Sequence, residues 1–91
     1  MPLPHGWNPD KRDSNLAKHG VDFAAGVDFE WGTALVRADV RQHYGEIRLN
    51  ALGVIGDHLH MLTYTIRPGQ VWIISLRRAS RKEETRYASD V

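Results

Sequence analysis

The chain has 91 residues, 12 Lys and Arg against 11 Asp and Glu, and no cysteine. That length suits one domain over residues 1–91, and the missing thiols exclude disulfides, thiolate metal sites and cysteine nucleophiles. A formal net charge of +1 excludes a general nucleic-acid coat, so any contact with RNA or DNA must be local.

Asn8-Pro9-Asp10 reads as a helix start: Asn8 caps, Pro9 suits the first helical position, and Asp10 sits at the positive dipole end. Gly20 ends this helix, with Lys18 and His19 in its last turn. Asp22 starts a second helix, whose apolar stripe is Phe23, Val27 and Trp31 and whose weak point is Gly26. Residues 33–37 form a short strand and 38–44 a polar turn region. Residues 46–54 alternate, with Ile47, Leu49 and Ala51 on one face and Glu46, Arg48 and Asn50 on the other. Gly56-Asp57 and Arg67-Pro68-Gly69 mark turns around a strand over 58–66, and Gln70 to Leu76 is the last and most apolar strand, expected centrally. Ser80 and Glu83 make a capping box for a final helix. The expected fold class is α+β: two N-terminal helices, an antiparallel β-meander sheet of three to four strands, and a short C-terminal helix.

Arginines dominate the candidate chemistry. Arg48 lies in a strand, Arg67 at a strand end, and Arg77 and Arg78 at the end of the last strand, where a meander can bring them together. A guanidinium grips phosphate with two hydrogen bonds and stabilises charge developing on phosphorus. The plainer reading is a solvated rim paired with Glu46, Glu83 or Glu84. Tyr87 either stacks on a base or staples the last helix to the sheet, and Tyr64 reads as packing. His19 is either a helix cap, held protonated by the dipole, or a general acid or base. His58 and His60 share a strand face, but no third ligand stands near, so neither a metal nor a cofactor is expected. No run approaches the ~18 apolar residues of a membrane span, and the N-terminus lacks signal-peptide character; a cytoplasmic location without membrane contact is expected.

The chain also resembles a family. Trp7-Asn8-Pro9-Asp10-Lys11, Asn15, Lys18-His19-Gly20-Val21 and Phe23 resemble the opening of BrnT-type toxins. Glu46 with Arg48, Ala51-Leu52-Gly53, Tyr64-Thr65 with Arg67, and Ile73-Ile74-Ser75 with Arg77 resemble its middle, and Arg78 to Tyr87 its tail. The resemblance implies a RelE-like ribonuclease fold and a toxin of a type II toxin–antitoxin system. It implies metal-independent RNA cleavage, with the ribose 2′-hydroxyl as nucleophile. The implied partner is a BrnA-like ribbon-helix-helix antitoxin, with operator DNA reached only through it and a 2:2 complex. On matching positions, Arg48, Arg67 and Arg77 carry over as phosphate-binding and transition-state residues, followed by Tyr87, Glu46 and His19. Arg78, Arg81 and Lys82 are expected to contact RNA.

Four residues, at three places, depart from the family pattern. His5-Gly6 stands where Phe-Glu is common, which casts doubt on a first strand. Trp72 replaces a polar residue and Leu76 a small one. By alternation both add bulk to one face of the last strand, which predicts altered substrate access or antitoxin fit and weakened activity. An alternative from another class is a non-catalytic protein- or nucleic-acid-binding module in an operon-regulating complex.

Overall fold

The computed structural model describes residues 4–41 and 45–90. A five-stranded sheet organises the chain. Its strands are β1 (His5–Trp7), β2 (Leu35–Ala38), β3 (Leu49–Ile55), β4 (His58–Arg67) and β5 (Gln70–Arg78), in the order β1-β5-β4-β3-β2. Residues β2 to β5 make the expected antiparallel meander, while β1 pairs parallel with β5, His5 opposite Val71 and Trp7 opposite Ile73. The sheet is therefore mixed and one strand larger than expected. The doubt over His5-Gly6 is resolved in favour of a strand: main-chain hydrogen bonding needs no particular side chain, and Gly6 clears the neighbouring Trp72 and Gln70 side chains.

Helix α1 (Pro9–His19) has the expected ends. Asn8 Oδ1 accepts from the amides of Asp10 (2.9 Å) and Lys11 (3.2 Å), and Gly20 takes φ 73°, a left-handed conformation in which its amide reaches the Leu16 carbonyl. The second expected helix is corrected. Phe23–Asp28 is a short 3-10 helix capped by Asp22, with another turn at Trp31–Thr33. Its proposed stripe fails because Val27 is 79% exposed while Phe23 is fully buried. Four-residue spacing lines up only on an α-helix, and three residues per turn rotates Val27 away. Helix α2 (Arg81–Asp90) follows the Ser80–Glu83 capping box, in which Glu83 N donates to Ser80 Oγ (3.2 Å) and Ser80 N to Glu83 Oε1 (2.9 Å).

One sheet face carries the core. Ala51, Leu62, Tyr64, Val71, Ile73 and Leu76 pack under Phe23 and Phe29, with Trp7 and Trp31 at the margin. Trp31 meets Tyr64 edge-on at 5.2 Å between centroids, so Tyr64 is a packing residue. Gly53 lets Phe29 lie directly on the β3 backbone, since a Cβ there would fall within 2.8 Å of Phe29 Cε2.

A β-bulge decides what the other face presents. Thr63 pairs with Ser75 but Tyr64 pairs with Ile73, leaving Ile74 as the extra residue. Alternation reverses across it. Val71 and Ile73 face the core before the bulge, Leu76 faces it after, and Ser75 and Arg77 turn to the opposite face with Thr63 and Met61. The expectation that Trp72 and Leu76 share a face is thereby overturned. Trp72 lies opposite Thr65 on the non-core face, and Leu76 opposite Leu62 is wholly buried in the core.

Candidate functional site

The non-core face holds an open cleft of about 520 Å³. Its floor is the set of side chains that alternation sends there: Asn50 and Leu52 from β3, Met61 and Thr63 from β4, and Ser75 from β5. Thr63 Oγ1 donates to Asn50 Oδ1 at 2.7 Å, tying the polar part of the floor across two strands. The walls come from three elements. The end of α1 brings Lys18 and His19, the chain after β2 brings Asp39 and Arg41, and α2 brings Glu83 and Arg86. Lys18, Arg37, Arg41, Arg48, Arg77 and Arg86 line it against two carboxylates, Asp39 and Glu83. A near-neutral protein thus concentrates positive charge in one concavity, which attracts polyanions.

Arg77 is held more firmly than a solvated arginine. Its two terminal nitrogens each donate at 2.8 Å to the two oxygens of Glu83. The same carboxylate caps α2, so one residue joins strand end, helix start and cleft. The Arg77 hydrogen bonds hold the Glu83 carboxyl down at about 2, and Arg77 is itself raised by Glu83. Asp39 plays the matching part across the cleft. Its side chain is 1% exposed and accepts from Arg41 Nε (2.9 Å) and Nη2 (2.8 Å). A buried carboxylate needs such a fork. Arg48 lies just before β3 rather than within it; its carbonyl accepts from Asp39 N at 2.8 Å, and its Nε donates to Glu46 at 3.3 Å.

His19 lines the cleft with its basicity lowered, first by burial and then by Lys18 and Arg77. Burial and these two cations work against the protonated form that a helix end favours. A neutral imidazole is available at neutral pH to accept a proton.

Of the residues singled out from sequence, the cleft gathers Arg48, Arg77 and His19. Glu46 pairs with Arg48 outside the lining. Tyr87 Oη donates to the Thr33 carbonyl at 2.9 Å, stapling α2 to the chain before β2. Arg78 is opposite His60, and Arg81 and Lys82 are exposed in the first turn of α2; none of the three lines the cleft. The expected convergence of Arg67 with Arg77 is corrected. Arg77 faces Met61, and Arg67 lies six residues farther along β4, about 20 Å at the usual strand rise. In an antiparallel pair, the ends of consecutive strands lie at opposite sheet edges. His58 and His60 do not act as a ligand pair: His60 is buried with Nδ1 2.8 Å from the His58 carbonyl, and His58 is exposed. Among the described residues no three His, Asp or Glu gather in metal-binding geometry, and no helix is long and apolar enough to cross a membrane.

Sequence reasoning missed Lys18, Arg37, Arg41 and Arg86. Two of these had a readable signal. Arg86 is three residues from Glu83 on a capped helix and so shares its face, and Arg37 alternates with Leu35 toward the cleft.

The sequence model of one family, described as the ribonuclease toxin, BrnT, of type II toxin–antitoxin systems, matches residues 7–83. No curated protein matches the chain significantly.

Proposed function

The chain belongs to the BrnT family of ribonuclease toxins of type II toxin–antitoxin systems, and on that footing we propose that the cleft around Arg77 cleaves RNA without a metal ion. The observation that carries this reading is the convergence of six cationic side chains with His19 in one concavity. In the proposed step the ribose 2′-oxygen attacks phosphorus and the bond to the 5′-oxygen breaks. The products are a 2′,3′-cyclic phosphate and a free 5′-hydroxyl. His19 accepts the 2′-hydroxyl proton, and the leaving 5′-oxygen takes one from water in the open cleft. Arg77 and Arg48 hold the phosphate and stabilise the charge that builds on its oxygens. Glu83 and Glu46 orient these two arginines, and Tyr87 fixes the helix that carries Glu83. Arg78, Arg81 and Lys82 extend the basic surface toward flanking phosphates.

The scaffold is read as RelE-like, and the partner as a BrnA-like ribbon-helix-helix antitoxin that neutralises the toxin by direct contact in the cytoplasm. Operator DNA is reached only through that partner, in a 2:2 complex. The test is expression of the chain alone and together with a BrnA-like ribbon-helix-helix protein sought in the adjoining gene. Growth arrest relieved by co-expression is expected, and unimpaired growth on expression of the chain alone contradicts the reading.

A further inference from the structure

The cleft does not exhaust the non-core face. At its far end Trp72, from β5, lies on the same face as Thr65, and the Arg67 guanidinium lies over the Trp72 ring, 4.2 Å from its centroid. The neighbouring position on β1 is Gly6. A Cβ there would lie 3.0 Å from Trp72 Cε3 and run into Gln70 Oε1, so the indole and the amide both lean over bare backbone. The result is a small shelf in which indole and carboxamide flank Gly6 and the guanidinium covers the indole. Arg67 is exposed and, like Arg78, Arg81 and Arg86, makes no ion pair among the described residues, whereas Arg12, Arg37, Arg41, Arg48 and Arg77 are each paired with a carboxylate.

We propose that Trp72, Arg67 and Gln70 form a stacking site for one unpaired base of the RNA strand whose phosphate occupies the cleft. The inference rests on the RNA reading of that cleft. An exposed guanidinium laid over an indole suits a nucleotide, since a base can stack on its outer face and the phosphate supplies a counter-charge. The shelf shares the sheet face with the cationic cleft, about 20 Å from Arg77 along β4. A stacked strand advancing ~3.4 Å per nucleotide covers that in about six nucleotides. Between the two sites the Thr65 hydroxyl donates to the Ile47 carbonyl at 2.6 Å, so the proposed strand would pass outside the segment before β3.

The test uses 2′-O-methyl RNA, which lacks the nucleophile and stays intact. Two lengths are compared on the full chain: about twelve nucleotides, which reaches both sites, and about four, which fills the cleft alone. The longer probe is expected to bind tighter. Trp72→Ala is expected to remove most of that gain, weakening the longer probe by roughly 5–100-fold and the shorter one not at all. An abasic scan on the wild-type protein supplies the same reading without a protein variant: loss is expected at one position about six nucleotides from the cleft phosphate. Equal affinity for both lengths, or an abasic scan flat along the strand, overturns the shelf and leaves the cleft standing. Failure of the wild-type chain to bind either probe overturns the cleft reading and the shelf with it.

Discussion

Arg77 meets Glu83 through a two-toothed fork, so charge alone does not reproduce its role. Arg77→Lys keeps the charge and loses the fork, and is expected to cleave RNA nearly as poorly as Arg77→Ala. Steady-state cleavage rates of the two variants check this. Glu83 links the pair to acid stability. Its folded carboxyl titrates at about 2 against an ordinary 4.5, so the unfolded chain binds the extra proton between those values. Stability from the pair is therefore complete above about 4.5 and is lost as pH falls toward 2. Melting temperatures across that window should drop for the wild type and less steeply for Glu83→Gln. His19 sets a second limb that also rises with pH, in activity rather than stability. Its lowered basicity predicts cleavage that rises with pH through a midpoint below 6.5, a limb absent from His19→Ala. At this scale the sequence was half legible. The capping box announced Glu83, and Glu46 and Glu83 stand out in sequence as partners for the arginines; which arginine each meets, Arg48 and Arg77, depends on the fold, which no spacing reports. Tyr87 kept both its readings open in sequence, and its hydrogen bond to the Thr33 carbonyl decides for the staple.

Two local devices aim the site. The first is Asn15, which is buried at the edge of β5 beyond the end of β1. Its Nδ2 donates to the Leu76 carbonyl at 2.6 Å and to the Val21 carbonyl at 3.0 Å, and its Oδ1 accepts from Leu76 N at 3.2 Å. The carboxamide thus replaces a missing strand and fixes α1 beside the residue before Arg77. Asn15→Ala leaves buried main-chain groups unpaired and should cost about 2–3 kcal/mol in denaturant unfolding. The second device is the bulge at Ile74, which turns Ser75 and Arg77 into the cleft. Strict alternation cannot foresee an inserted residue, which is why Trp72 and Leu76 were assigned to one face. Helix α1 was legible because its caps are local chemistry, and so were the turns at Gly56 and Gly69, each with positive φ. The 3-10 segment was not, since the Phe23–Val27–Trp31 spacing mimics an α-helix while the chain follows the core. Gly53 sets a further constraint, and Gly53→Ala should destabilise by about 1–3 kcal/mol because Phe29 already fills the space.

The whole molecule combines a small core on one sheet face with a cationic cleft on the other. Net charge hides this, because Asp and Glu nearly balance Lys and Arg over the chain while the cleft does not balance. Binding of a short single strand through three or four cleft phosphates predicts a slope of log K against log salt of about −2 to −3. The central claim is that the Arg77 cleft cuts RNA by its own side chains. The direct measurement is incubation of purified chain with single-stranded RNA in excess EDTA, following product ends for wild type and Arg77→Ala. The account predicts 2′,3′-cyclic phosphate ends from the wild type and a rate about 10²–10³-fold lower for the variant. Intact RNA with the wild type, or equal rates for the two proteins, would contradict it.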